Sequence, residues 1–192
     1  MSPRSKQQYE EIREATMDKI MKAALELFGT TGFDRTSITS IAKKAEVSKG
    51  LLYHYFESKE DLLEKMIFYY ADRADFSMDQ LTNGSAHEVL ANLIDMFFKE
   101  MRENYQVWRL FMNLTVQIDK FDFVREMAIG KMSAYTELFQ KVFEELGWKD
   151  PKGEAQMLGA IFDGMGLQYY ILGDNYPLDE MEQILINKYC KK

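Results

Sequence analysis

Between Ser48 and Lys59 the chain gathers hydroxyl, ammonium, phenol and imidazole groups in one short stretch, reading SKGLLYHYFESK. Ser48, Lys49, Tyr53, His54 and Tyr55 can donate to phosphate oxygens or reach base edges, and Gly50 lets a backbone approach a duplex closely. Such groups need a frame, and the flanking spacing predicts one. Ile38, Ile41, Ala42 and Ala45 fall at i, i+3, i+4 and i+7, an apolar stripe on a helix of about ten residues. A second helix starts at Ser48, which can cap it, and runs to Phe56, with Leu52, Phe56 and Val47 available to pack on the first. Only Glu46 and Val47 separate the two, so the helices must cross steeply. That is a helix-turn-helix whose second helix is free to enter a major groove.

The neighbouring sequence adds to this reading. Ser58-Lys59-Glu60-Asp61 supplies a capping box that opens a further long helix and puts Lys59 in its first turn, where a phosphate is favoured. Leu27-Phe28-Gly29 with Gly32-Phe33, the Thr36-to-Ala42 segment, Val47-Ser48-Lys49-Gly50, Leu52-Tyr53-His54-Tyr55-Phe56 and Lys59-Glu60 follow in order. Together they resemble the DNA-binding domain of the tetracycline-repressor (TetR) family of transcriptional regulators. Position for position, the resemblance implies Ser48, Lys49, Gly50, His54 and Tyr55 as the groove-facing set. It implies Tyr53 and Lys59 as phosphate grips, and Thr36, Ser37 and Thr39 as contacts at the start of the first motif helix. Leu51 departs from the polar residues usual at its position and can touch a thymine methyl, favouring an A·T pair there. The resemblance also implies a repressor that binds a palindromic operator as a homodimer and is released by a small effector.

Composition bounds these expectations. A chain of 192 residues, 46% hydrophobic and 29% charged, can bury a core and is neither disordered nor membranous. No apolar run approaches the roughly twenty residues that span a bilayer, and the first residues do not read as a signal segment, so a cytoplasmic protein is expected. One cysteine, Cys190, and two histidines, His54 and His87, exclude an intrachain disulfide and give no metal set. No cofactor is implied. The net charge of −7 is unevenly spread: residues 1–65 hold 11 basic and 11 acidic side chains, leaving 13 and 20 in the remainder. A neutral head on an acidic body turns head-first toward DNA.

The expected architecture is all-α. Residues 1–57 form a three-helix helix-turn-helix DNA-binding domain and residues 58–192 a helical effector-binding and dimerisation domain. The first helix covers residues 9–28 with Met17, Ile20, Met21, Ala24, Leu27 and Phe28 on one face, and Gly29 and Gly32 end it. The tail before it carries Arg4 and Lys6. The helix from Ser58 reaches about Gln80. Ser85-Ala86-His87-Glu88 caps another, and helices from Tyr105, from about Phe123 to Leu146, from Asp150-Pro151 and from Pro177 follow.

Within this body Phe97, Met101, Tyr105, Trp108, Met112, Tyr135, Phe139, Phe143 and Phe162 are candidates to line a pocket for a largely apolar effector, the methionines giving adaptability. The helix after Pro151 carries two apolar stripes and so needs two partners. One stripe is Leu158, Ile161, Phe162, Met165, Tyr169 and Leu172; the other is Met157, Ala160, Gly164, Leu167 and Ile171. Leu158, Ile161, Met165, Tyr169 and Leu172, with Leu178, Met181 and Leu185 of the last helix, are assigned to a two-fold four-helix interface, although periodicity does not rank the stripes. An enzyme finds no support: there is no Ser-His-Asp order, no glycine-rich phosphate loop and no HExxH. A DNA-binding dimer without a small-molecule effector is the alternative.

Overall fold

The computed structural model describes residues 6–75, 82–115 and 117–190, with side chains except those of Lys6 and residues 72–75. The tail with Arg4, the Lys6 side chain and the expected helix end near Gln80 lie outside the described residues. The chain divides into two compact units, Met1–Arg73 and Ala74–Lys192, and every regular element among the described residues is a helix.

In the first unit α1 (Lys6–Thr31) outruns its expected span at both ends. Gly29 stays helical, and Gly32, at φ +88°, ends the helix by donating its N–H to the Phe28 carbonyl. Ile20, Met21, Ala24, Leu25 and Phe28 are buried; Met17 and Leu27 are half-buried. On this support sit α2 (Ile38–Lys44) and α3 (Lys49–Tyr55). The connection between them is a two-bond Schellman turn, Val47 N–H to Ala42 O (3.0 Å) and Glu46 N–H to Lys43 O (3.3 Å). It requires a left-handed residue, and Glu46 supplies it at φ +55°.

The long helix α4 (Lys59–Asp75) lies in this first compact unit as far as Arg73. Leu62, Leu63, Met66 and Ile67 are buried, and the Tyr69 hydroxyl donates to Asp18 Oδ1 on α1 at 2.7 Å. An amphipathic pattern announces the helix but not the surface that receives it.

The second unit begins with α5 (Ala86–Glu103), opened by the expected capping box: Ser85 N–H donates to Glu88 Oε2 (2.8 Å) and Glu88 N–H to Ser85 Oγ (3.4 Å). Then come α6 (Tyr105–Thr115), α7 (Asp122–Glu145), α8 (Pro151–Leu172) and α9 (Leu178–Tyr189). Leu90, Leu93, Ile94, Phe98, Met101, Phe143 and Leu158 form its core. Asp150 accepts the Gly153 N–H at 3.0 Å and starts α8 as its Asp-Pro signature predicts. Arg102 of α5 donates to Asp179 Oδ1 (2.7 Å) and to the buried Glu182 carboxylate, tying α9 to α5. Those carboxylates hold the guanidinium above its usual pKa, against the opposing effect of burial.

Candidate nucleic-acid interface

A helix of seven residues does not stand alone in water, so α3 depends on what holds it. One of its own side chains, Leu52, is buried, and Phe56 just beyond its end is buried too. Ser48 caps it, accepting the Leu51 N–H at 3.0 Å. Everything else on α3 is free to meet a ligand: Lys49, Gly50, Leu51, Tyr53 and His54 are exposed and Tyr55 is half-buried. The Lys49 ammonium lies 5.7 Å from the centre of the Tyr53 ring, and His54 meets Tyr55 edge-on at 5.7 Å. Cation, phenol and imidazole therefore share one accessible surface. Ser37 and Thr39 are exposed at the start of α2, where Ser37 and Ser40 cap one another. Lys44 turns back to Glu26 of α1 at 2.6 Å, whereas Lys43 is exposed.

Two expected contacts do not join that surface. Thr36 is buried, its hydroxyl donating to the Gly32 carbonyl at 2.8 Å with the Leu27 carbonyl at 3.2 Å. Its side chain closes the α1–α2 loop. The Lys59 ammonium donates to the Phe33 carbonyl (2.8 Å) and the Thr36 carbonyl (3.1 Å) and lies 4.1 Å from the Phe33 ring centre. In the free chain the half-buried Lys59 thus has two carbonyls and one ring as partners.

In the second unit most of the expected effector-lining side chains form two aromatic groups. Phe97 stacks on Phe162 (4.3 Å between centroids), with Phe139 5.8 Å from Phe162 and Met101 fully buried in the same core. Tyr105 and Trp108 stack at 6.0 Å, and Trp108 meets Tyr169 at 5.3 Å. Gly166 lies against the indole, where a Cβ would make an ordinary contact with Trp108 Cζ2 at 3.5 Å and with Met112 Sδ at 4.0 Å. Tyr135 is half-buried against the same core. Phe143, in the same core, has Trp148 (5.0 Å) and Tyr189 (5.9 Å) as ring neighbours. Tyr169, expected at an interface between copies, joins the aromatic group, where burial raises its phenol pKa. Tyr176, which the sequence reading missed, lies 6.1 Å from Tyr169. Its buried hydroxyl has no hydrogen-bond partner among the described residues.

The two stripes of α8 differ in how far the chain's own core covers them. Leu158, Met165 and Leu185 are buried in the chain's own core, with Ile161, Leu178 and Met181 half-buried against it. Of that set only Leu172 is exposed. The uncovered stripe is the other one, with Met157 61%, Leu167 47% and Ile171 70% exposed, joined by Ile184 of α9 at 47%. Ala160 and Gly164 lie between them, and a Cβ on Gly164 would meet nothing within 4 Å.

The head geometry agrees with a family match: the model of bacterial regulatory proteins of the tetR family covers residues 20–66. Residues 20–66 thus carry a tetR-type DNA-binding head. Among relatives, YuxN of Bacillus subtilis, named as an HTH-type transcriptional regulator, is 48% identical over 54 residues. That alignment covers 28% of this chain but 19% of YuxN. YttP of the same organism, also named as an HTH-type transcriptional regulator, is 29% identical over 138 residues, 70% of this chain and 66% of YttP. The chain thus spans less than two thirds of the length of these two relatives. Among solved structures, the fatty acid degradation regulator FadR from Bacillus halodurans superposes with TM-score 0.78 at 21% identity, covering 92% of this chain and 95% of that one. A transcriptional regulator from Saccharomonospora viridis in complex with choline gives 0.79 at 19%, covering 90% and 94%. At these identities the likeness establishes the fold. No helix among the described residues is long and apolar enough to cross a membrane.

Sequence reasoning missed two features: the orphaned Tyr176 hydroxyl and the exposed α8 stripe as the uncovered face. A tyrosine in a loop gives no signal of burial. The stripe was legible, but not its partner.

Proposed function

We propose that the chain is a DNA-binding transcriptional regulator that acts as a homodimer on a palindromic operator, represses it, and releases it when a small, largely apolar effector fills the second unit. The observation that carries this reading is α3, capped and anchored so that Lys49, Gly50, Leu51, Tyr53 and His54 are all exposed on a tetR-type head. Tyr53 is the phosphate grip, and Ser48, Lys49, Gly50, His54 and Tyr55 face the groove. The dimer is supported by the uncovered Met157, Leu167, Ile171 and Ile184, which need a second apolar surface, with Ala160 and Gly164 letting two copies of α8 approach closely. The effector reading is supported by the half-buried rings of Phe97, Tyr105, Trp108 and Tyr169, and by a fold shared with a regulator solved in complex with choline.

The test is selection of bound sequences from random duplex DNA at about 0.15 M salt, with the bound species sized at the same time. A palindrome bound by two chains is expected. Failure of the effector-free protein to enrich any sequence would overturn the reading.

A further inference from the structure

We infer that Leu51 is a specificity-determining residue: it reads the C5 methyl group of a pyrimidine, so each operator half-site carries a thymine, or a 5-methylcytosine, opposite the first turn of α3. The inference rests on the DNA-binding reading above and names what that surface selects. Leu52 and Phe56, both buried, fix which side of α3 turns inward. At 100° per residue Gly50, Leu51 and His54 fall on the opposite side, the first two in the opening turn, where a recognition helix meets base edges. Leu51 is 39% exposed there. Its backbone N–H already donates to the Ser48 hydroxyl at 3.0 Å, so only the isobutyl group is on offer. That group neither donates nor accepts a hydrogen bond. The one feature of a major-groove edge it can recognise is the methyl group.

A lone exposed leucine is ordinary on a protein surface; the residue beside it gives this one a role. Gly50 is helical, and glycine within a helix is less stable than alanine would be. Nothing in the first unit asks for it: a Cβ at Gly50 would approach only the Ser48 hydroxyl, at 4.0 Å. The open space is therefore kept for a partner. A bare step on the outward side lets α3 settle nearer the base edges, and a side chain as short as leucine's then reaches a methyl. Hydrogen-bonding groups stand on either side in the chain, Ser48 and Lys49 before and Tyr53 and His54 after. Between them Leu51 is blind to the exocyclic groups of the pyrimidine, O4 of thymine or N4 of cytosine, and senses the methyl alone. Its preference is thymine and 5-methylcytosine equally, over uracil and cytosine equally. A hydrogen-bonding side chain, which tells O4 from N4, gives a different order.

The test uses the whole chain and the duplex it selects. Each thymine of the half-site is replaced in turn by deoxyuridine, in both half-sites at once, and affinity is measured for wild type and Leu51→Ala. At one position wild type should lose about fourfold per methyl, the fold-change for burying one methyl group, and so about 16-fold for the two half-sites. Leu51→Ala should bind the thymine and uracil duplexes equally there, with an unchanged melting temperature because Leu51 is exposed. Cytosine at that position should bind weakly, and 5-methylcytosine should recover about the same fourfold per half-site, in wild type only. Gly50→Ala should raise the melting temperature by about 2–5 °C while erasing the difference between thymine and uracil. A lower melting temperature, or a preserved difference, would refute the close approach at Gly50. A methyl effect undiminished in Leu51→Ala, or a wild type indifferent to every thymine methyl, overturns the inference and leaves the DNA-binding reading standing. A chain that selects no duplex overturns both.

Discussion

Helices α3 and α8 each leave a face uncovered, and the two faces have opposite chemistry. On α3 the bare residues are Lys49, Gly50, Leu51, Tyr53 and His54, a surface that water solvates well. On α8 they are Met157, Ala160, Gly164, Leu167 and Ile171, which water solvates poorly. The anchoring differs in the same sense. Leu52 alone holds α3 from within, whereas Ala155, Leu158, Phe162, Met165 and Gly166 bury the opposite side of α8. A polar face can wait for a partner at no cost to the free chain; an apolar face cannot. The first therefore suits a reversible ligand such as DNA, and the second a partner that stays, such as another copy.

The comparison breaks most sharply at the anchors. Leu52→Ala should destabilise the first unit by about 2–5 kcal/mol, the usual range for emptying a buried leucine site, and thermal melting with DNA binding should report it. If the head keeps wild-type stability, α3 is held by something other than Leu52. Ile171→Asp makes the opposite change, to a side chain with no role in the chain's own core. It should weaken association of two copies by about 2–4 kcal/mol, roughly 30- to 1,000-fold, while each chain stays folded. Sedimentation reads the first effect and circular dichroism the second; a dimer that survives the aspartate removes α8 from the interface.

How much of this was legible in the sequence depended on whether a residue's neighbours are local. The caps at Ser48, Ser85 and Asp150 and the steep turn after α2 depend on residues within a few positions, and all formed as read. Thr36 and Lys59 look like surface groups by type; partners up to 26 residues away make them internal. Phe143 carries the same periodic signal as Phe139 and shares its core, yet its ring neighbours are Trp148 and Tyr189, whereas Phe139 meets Phe162. The two stripes of α8 were both visible, but hydrophobic period is the same for a face turned to the core and one turned to a copy.

Smaller effects sharpen the polar half of the comparison. Lys49→Ala should cost about 1–2 kcal/mol of operator binding, roughly five- to thirty-fold, without changing the melting temperature, because Lys49 is exposed and rests on the Tyr53 ring, itself exposed. Wild-type affinity for the mutant would remove Lys49 from the site. The smallest change is a gain. The end of α7 uses the same two-bond turn as the end of α2, Trp148 N–H to Phe143 O and Gly147 N–H to Glu144 O, but with glycine at φ +72° where α2 has Glu46 at +55°. Glu46→Gly should therefore stabilise the first unit by up to about 1 kcal/mol by relieving left-handed strain. A lower melting temperature would mean that the Glu46 side chain contributes more than its backbone costs.

The central claim is that two chains, joined through α8 and α9, present two copies of α3 to one duplex. Sedimentation of the protein with its selected duplex, run beside Ile171→Asp at the same concentration, tests it most directly. The account predicts two chains per duplex for wild type and loss of that complex for the variant. One chain per duplex at full affinity, or a variant complex identical to wild type, would contradict it.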